Sequence, residues 1–452
     1  MSGNVMAEQA DQLAVVVGLG QTGLSVVPHL MVQGYTVEVV DSRAQPPQLG
    51  LLQEAYPNVP VHTGEFDAGL LSRADLLVVS PGVALAEPAI AQARNAGVET
   101  VGDIELFARI AHAPVIAVTG ANGKSTVSVL VGEMCSEAGL ETRVGGNIGV
   151  PALELIKDSE PDVYVLELSS FQLETTESLN ARAAVVLNVS EDHMDRYQSL
   201  QDYADTKARI FNGTGTMVLN RDDAVVMAMA SKDRDQVSFG MQLPERDNDY
   251  GVKQIDGKTW LMQGKTPLFC ADEIRIPGKH NISNVLAAMA LANVMGVSID
   301  AAKRAVQKFT GLPHRCQLVA EDNGIKWIND SKATNVGATT AALQGIDSPV
   351  IWIAGGEGKD ADFAPLRIAA EQSVRDVILI GRDAKLIEQA LAGCVPVHHA
   401  DDMKQAVDLA YQLASPGDVV LLSPACASFD MFNNFVHRGE TFAQLVRERL
   451  QR

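Results

Sequence analysis

This chain is poor in the features that would hold metal through sulfur, cross a bilayer or grip a polyanion over a broad face. Its five cysteines, Cys135, Cys270, Cys316, Cys394 and Cys426, are odd in number, far apart and in no Cys-x-x-Cys pair. That spacing argues against a disulfide scaffold and a thiolate metal site, and fits reduced thiols. No apolar run approaches the roughly 18 residues of a spanning helix, and no basic segment opens the N-terminus, so the expectation is a soluble, cytoplasmic protein without membrane insertion. Positive charge is also scarce: 36 Lys and Arg stand against 56 Asp and Glu, a formal net charge of −20. An acidic excess of that size argues against a nucleic-acid or anionic-membrane binder, which presents a basic face. Any anionic substrate must then meet cations gathered locally. Repeats and low-complexity linkers are lacking too. With 46% hydrophobic and 20% charged residues the chain can bury large cores. Its 452 residues suggest about three domains at roughly 100–200 residues each.

Short apolar runs at Leu13–Val17, Val37–Val40 and Leu76–Val79 alternate with helical patterns, one starting near Thr22. This is βαβ chemistry and predicts a parallel sheet. Gly18-Leu19-Gly20-Gln21-Thr22-Gly23 follows the first strand, and Asp41 ends the next, roughly 20 residues on, as in a dinucleotide fingerprint. The physics is broader than that motif. A helix N-terminus accepts the pyrophosphate of any nucleoside diphosphate, NAD(P) included.

A second α/β unit starts near Asp103, with strands expected at Val163–Leu168, Ala184–Leu187 and Met217–Leu219. Its first strand, Val115–Thr119, runs into Gly120-Ala121-Asn122-Gly123-Lys124-Ser125-Thr126. Glycines there let backbone N–H groups converge on phosphate oxygens, the following helix adds partial positive charge, and Lys124 supplies a point charge. Ser125 is then placed for Mg²⁺. The loop is abbreviated, since Gly120 and Gly123 enclose two residues where the full pattern has four.

Glu167 ends an apolar strand, where a carboxylate can reach Mg²⁺ beside nucleotide phosphates; standing alone, it reads equally as a capping or surface acid. His193, among Glu191, Asp192 and Asp195, is a metal-site or orienting candidate, or else a solvated imidazole. Lys207 on spacing alone is an exposed helical lysine. Ser231–Gly264 reads as short antiparallel strands, and a helix is expected at about Asn284–Val294 with Asn281 or Ser283 as cap. Beyond Gly311-Leu312-Pro313 a third unit has strands at Trp327–Asp330, Ile351–Ala354, Val377–Ile380 and Val419–Leu422. Arg315, Lys332 and Lys359 are cations suited to phosphate and a developing oxyanion, or members of surface salt bridges. Cys426 reads as a buried structural thiol rather than a nucleophile, since no His accompanies it.

Taken together, Thr119–Thr126, Gly145–Gly149, Glu167–Leu173, Asn188–Tyr197, His280–Asn284, Gly311–Arg315 and Asn329–Asn335 resemble the Mur ligase family of ATP-dependent amide-bond-forming enzymes, along almost the whole chain. The abbreviated phosphate loop is the form this family uses. Ser423–Asp430 with Phe435, and Gly102–Phe107, resemble its D-glutamate-adding branch. The resemblance implies an α/β fold of three domains: a Rossmann-like UDP-sugar domain (1–102), a central P-loop ATPase-like domain with a parallel or mixed sheet (103–311), and a Rossmann-like amino-acid domain (312–452). It implies that Gly20, Gln21, Thr22, Asp41, Ser42, Arg43, Gly82 and Asn147 meet UDP-N-acetylmuramoyl-L-alanine. ATP falls to Gly120, Asn122, Gly123, Lys124, Ser125, Thr126, Asn281, Asn284, Arg315 and Asp330. One Mg²⁺ falls to Ser125 and Glu167, and a second to His193 and a carbamylated Lys207. Lys332 stands near the reacting groups, and Thr334, Lys359, Ser428 and Phe435 hold D-glutamate. Catalysis is expected of Lys124, His193, Lys207, Arg315 and Lys332, in a chain acting as a monomer in peptidoglycan precursor synthesis.

Alternatives share parts of this set. A sister ligase or a folylpolyglutamate synthase shares the central domain but differs at the amino-acid pocket. An NAD-dependent oxidoreductase uses Gly18–Gly23 and leaves Lys124, Glu167 and His193 unexplained. A silent nucleotide-sugar-binding protein has no use for the ATP and magnesium set.

Overall fold

The computed structural model describes residues 12–451 apart from 158, 193, 195, 277, 347 and 360. Backbone contacts divide the chain into two compact units. The first holds the chain up to Val189 with Arg196–Ser238 and Ala287–Ala302; the second holds Ser190–Asp195, Phe239–Leu286 and Lys303 onward.

The first unit carries two sheets. β1 (Leu13–Val17), β2 (Thr36–Asp41), β3 (Val61–Thr63), β4 (Leu76–Val79) and β5 (Glu99–Val101) pair in the order β3-β2-β1-β4-β5, all parallel. Val15, Val16, Val17 and Leu77 are fully buried, as strands covered by helices on both faces must be. The order reverses beside β1, so the carboxyl ends of β1 and β4 diverge there into a crevice, the usual ligand position of an open α/β sheet. β6 (Val115–Thr119), β7 (Thr142–Gly146), β8 (Val163–Glu167), β9 (Ala183–Val186), β10 (Thr216–Asn220) and β11 (Gln236–Phe239) follow in the order β11-β10-β9-β6-β8-β7. From β10 to β7 the pairs are parallel. One continuous apolar cluster joins the two sheets, with Val26, Ile104, Phe107 and Tyr164 at its centre and the Phe107 and Tyr164 rings edge to face at 5.0 Å.

The second unit contains an antiparallel meander, β12 (Tyr250–Ile255), β13 (Lys258–Gln263) and β14 (Thr266–Cys270). It also contains a six-stranded sheet, β15 (Gln317–Asp322), β16 (Ile325–Asn329), β17 (Val350–Gly355), β18 (Val374–Ile380), β19 (Val397–His399) and β20 (Val419–Leu422), in the order β15-β16-β20-β17-β18-β19. Only β15 is antiparallel. Separate apolar clusters cover its two faces, around Trp352 on one and around Trp327 and Phe442 on the other.

The expected strands are present, β1, β4, β6 and β20 with the expected ends and the others with ends displaced by up to three residues, and the α/β class stands. β15 was not expected, because its mixed sequence lacks a clean alternation. The helix expected from Asn284 begins at Lys279. Asn281 and Ser283 are therefore inside it rather than caps; Asn284 Nδ2 donates to Asn281 Oδ1 at 3.0 Å, a bond one helical turn makes possible. The antiparallel excursion runs on to Cys270, beyond the expected end at Gly264. Among the described residues no helix is long and apolar enough to cross a membrane.

Candidate active site

β6 ends at Thr119, and the helix Lys124–Glu137 starts at the lysine of the glycine loop. Its N-cap is Gly123 at φ +84°, with no side chain capping the first turn. Gly120 has φ +155°, and a Cβ there would stand 2.9 Å from Leu187 Cβ. Both positions thus need glycine. Asn188 fixes the loop from the end of β9: its Oδ1 accepts from Asn122 N at 2.8 Å, its carbonyl from Ala121 N at 3.0 Å, and its Nδ2 donates to Asn122 O. Lys124 Nζ folds over the loop and donates to the carbonyls of Gly120 and Ala121, both at 2.9 Å.

Parallel pairing sets Glu167 beside Val118, at the strand ends where the loop leaves the sheet. Glu167 is 3% exposed; Oε1 accepts from Asn147 Nδ2 at 2.8 Å, while Oε2 is buried with no hydrogen-bond partner. A buried carboxylate oxygen left unsatisfied is costly. An oxygen-seeking divalent cation would satisfy it, so the donor set of Glu167 and the Ser125 hydroxyl fits Mg²⁺. Lys207 is not the exposed lysine that spacing suggested. It is 1% exposed, with Nζ 4.4 Å from the Tyr203 ring centre and donating to Gly120 O at 3.0 Å. His193 lies outside the described residues.

All eight residues expected on the UDP-sugar, Gly20, Gln21, Thr22, Asp41, Ser42, Arg43, Gly82 and Asn147, line one cleft of about 550 Å³ at the carboxyl ends of β1, β2 and β4. Gly23 makes the turn possible, because a Cβ there would meet Gly18 O at 2.0 Å. Asp41 accepts from Leu19 N at 2.7 Å and from Arg43 Nε and Nη2 at 2.8 and 2.6 Å. Burial alone would raise its carboxyl, but the Arg43 fork and the Leu19 and Arg43 amides outweigh it and hold it at about 2. The charged pair keeps Arg43 oriented at the mouth. Gln172 also lines the cleft, and its Nε2 donates to Asp103 at 3.2 Å.

Asn281, Asn284, Arg315, Asp330, Lys332, Thr334, Lys359, Ser428 and Phe435 all fall in the second unit. Thr334 and Lys359 line a cleft of about 430 Å³ with Asp192 and Asn335, whose side chains bond at 3.2 Å. Ser428 and Phe435 stand outside that lining. Lys332 Nζ instead lies 4.0 Å from the centre of the Phe435 ring. Asp330 is buried and accepts from Ser423 Oγ at 2.8 Å and Cys316 N at 3.1 Å. Burial pushes its carboxyl up to about 6 against those bonds. Cys426 is buried and its thiol is pushed up to about 12 by burial, so it stays protonated.

Two organising residues were not singled out by the sequence: Asn188 and Arg438. Arg438 is 1% exposed and donates to Ser331 Oγ and O and to the carbonyls of Cys426 and Ala427, at 2.8–3.2 Å. It pins the loop that follows β20 to the loop that follows β16. Its signal, an arginine beside Gly439 on a helix with an apolar face, is too ordinary to read.

Family models match along most of the chain: Mur ligase MurD-like N-terminal domain over residues 12–102, Mur ligase middle domain over 118–292, and Mur ligase glutamate ligase domain over 314–426. A protein of Nitrosococcus oceani named UDP-N-acetylmuramoylalanine–D-glutamate ligase is 51% identical over 97% of both chains. One of the same name from Methylobacillus flagellatus is 50% identical over 98% of both. Among solved structures, UDP-N-acetylmuramate–alanine ligase from Thermotoga maritima aligns with TM-score 0.62 at 18% identity, covering 97% of this chain and 99% of that one, a likeness of fold. Family models along most of the chain and near-full-length relatives about half identical to it show that the chain belongs to the Mur ligase family.

Proposed function

We propose that this chain is an ATP-dependent ligase that joins D-glutamate to UDP-N-acetylmuramoyl-L-alanine in peptidoglycan precursor synthesis, working in the cytoplasm as a monomer. The near-full-length relatives that bear this activity's name carry the choice of amino acid. The phosphate loop with the unsatisfied Glu167 oxygen supports the use of ATP. Family membership leaves no role for NAD at Gly18–Gly23. The three domains run 1–102, 103–311 and 312–452.

In this reading the alanine carboxylate of the UDP-sugar attacks the γ-phosphorus of ATP, giving an acyl phosphate and ADP. The amine of D-glutamate then attacks the acyl carbon, and the tetrahedral adduct expels phosphate as the amide forms. Every reactant is anionic, so positioning and local positive charge are the main demands. Gly20, Gln21, Thr22, Ser42, Arg43 and Gly82 hold the UDP-sugar at its diphosphate and uridine, and Asn147 meets it beside Glu167. Gly120, Gly123 and Thr126 supply backbone donors to the ATP phosphates, Asn122 shapes the loop between them, and Lys124 leaves its two loop carbonyls to meet the phosphates. Asn281, Asn284, Arg315 and Asp330 are assigned to ATP, and Lys332 to the charge that develops at the reacting carbon. Thr334, Lys359, Ser428 and Phe435 hold D-glutamate. Ser125 and Glu167 would hold one Mg²⁺, and His193 with a carbamylated Lys207, which offers an anionic oxygen where lysine has none, would hold the second. When bound, Mg²⁺ would supply charge neutralisation at the phosphates.

The test is phosphate release from ATP and Mg²⁺ with the UDP-sugar, comparing D-glutamate with L-glutamate, L-alanine, L-lysine and meso-diaminopimelate. Release with D-glutamate alone, with a product heavier by one glutamyl residue, is expected. Release with another amino acid moves the specificity, and release with none contradicts the ligase reading.

A further inference from the structure

Behind the nucleotide cleft the first unit holds a side-chain cluster that the assignments above do not use. Arg196 is largely buried, and its guanidinium is divided between two segments, Glu174 and the Pro81–Val83 loop. Nε and Nη2 fork onto the Glu174 carboxylate at 3.1 and 2.5 Å. Nη1 donates to the carbonyl of Pro81 at 2.9 Å, and Nη2 also reaches that of Val83 at 3.2 Å. Phe171 lies 4.1 Å from the guanidinium carbon, and Tyr197, stacked on Phe171, donates its hydroxyl to Glu174 at 2.8 Å.

The groups it joins border the cleft in two separate segments. Ser80, Pro81, Gly82 and Val83 line it, and so does Gln172. Gln172 belongs to the short helix Ser170–Leu173, and Glu174 is the residue that ends that helix. Arg196 itself does not line the cleft. A planar, fixed fork that bonds a carboxylate and two carbonyls at once sets their separation, which a single ammonium cannot do.

We propose that Arg196, backed by Glu174, is a positioning residue for the UDP-sugar: it fixes the distance between the Ser80–Val83 loop and the Gln172 helix, and so the width of the cleft. This rests on reading that cleft as the nucleotide-sugar site.

The test measures binding of UDP-N-acetylmuramoyl-L-alanine and, separately, of ATP by calorimetry for the wild-type chain, Arg196→Lys and Glu174→Gln, with KM and kcat alongside. Arg196→Lys should weaken UDP-sugar binding and raise its KM by roughly 10-fold, the scale of losing a bidentate charge-assisted contact. ATP affinity and kcat at saturating UDP-sugar should stay within about twofold, since the phosphate loop keeps its own contacts. Glu174→Gln keeps the shape and should shift UDP-sugar affinity in the same direction by less, which preserves the test if the lysine variant folds poorly. Unchanged UDP-sugar affinity in both variants overturns the proposal. So does equal weakening toward ATP and UDP-sugar with a lowered melting temperature, the mark of a purely structural role. A wild-type chain that binds no UDP-sugar removes the reading of the cleft, and the proposal with it.

Discussion

The phosphate loop of the first unit and the loop cluster around Arg438 in the second are both turns at strand carboxyl ends, yet they are built from opposite materials. In the phosphate loop the working groups are backbone atoms of consecutive residues, shaped by Gly120 and Gly123 and tightened by Asn188. Around Arg438 the loops are held by one buried side chain reaching Ser331, Cys426 and Ala427. The first needs a local pattern, and the second needs a long-range contact. Replacing a side chain in the first should therefore cost chemistry while the fold survives, and in the second it should cost the fold.

The sharpest contrast comes from Lys124→Ala. It should leave the unfolding midpoint near that of the parent and lower turnover roughly 10²-fold or more, the scale of removing one preorganised charge-stabilising group. Near-normal turnover would break the comparison at its stronger end. Arg438→Met should do the reverse. Orphaning the Cys426 and Ser331 carbonyls costs about 3 kcal/mol, read as a fall in the urea midpoint of the second unit. A stable variant with lost turnover would place Arg438 in the chemistry instead.

A smaller effect separates two buried aspartates. Asp41, charge-paired with Arg43, sits at about 2, so its stabilisation is complete above the unfolded value near 4 and is lost as pH falls from about 4 to 2. Asp330 has no such fork, and its folded value of about 6 means the native state keeps a proton that the unfolded chain has released. Its penalty grows as pH rises from about 4 to 6 and is fully present at pH 7. Asp330→Asn should remove that penalty, stabilising the protein at pH 7 by about 1–3 kcal/mol and flattening the urea-midpoint profile between pH 4 and 6. An unchanged slope would show that Asp330 is ionised at lower pH than its burial implies. The smallest effect belongs to Cys426→Ala, where turnover should stay within about twofold because a thiol held protonated makes no nucleophile.

The same division explains what the sequence made legible. Strands β1, β4, β6 and β20 and the glycine loops could be read because their signals lie within a few residues: apolar runs of strand length, and glycine where a Cβ would collide. The eight cleft residues followed from one fingerprint and a family resemblance, and they do line one cleft. Lys207 could not be placed by periodicity, because its burial depends on Gly120 and Tyr203 packing around it. The start of the helix at Lys279 was hidden for a related reason. Polar residues that favour caps, Asn281 and Ser283, sit inside it, and Asn281 is buried there with Asn284. Arg196 and Arg438 were invisible as organising groups because Pro81 and Ser331, which they hold, lie 115 and 107 residues away in the chain.

The central claim is that the substrate carboxylate is activated by phosphoryl transfer at the Gly120–Thr126 loop. The most direct measurement uses UDP-N-acetylmuramoyl-L-alanine carrying ¹⁸O in the alanine carboxylate, with ATP, Mg²⁺ and D-glutamate, and reads the released phosphate by mass spectrometry. Attack of that carboxylate on the γ-phosphorus leaves one bridging ¹⁸O, which departs with phosphate when the amine displaces it. Phosphate bearing one ¹⁸O per amide formed is the predicted result. Amide formation with unlabelled phosphate would contradict the account.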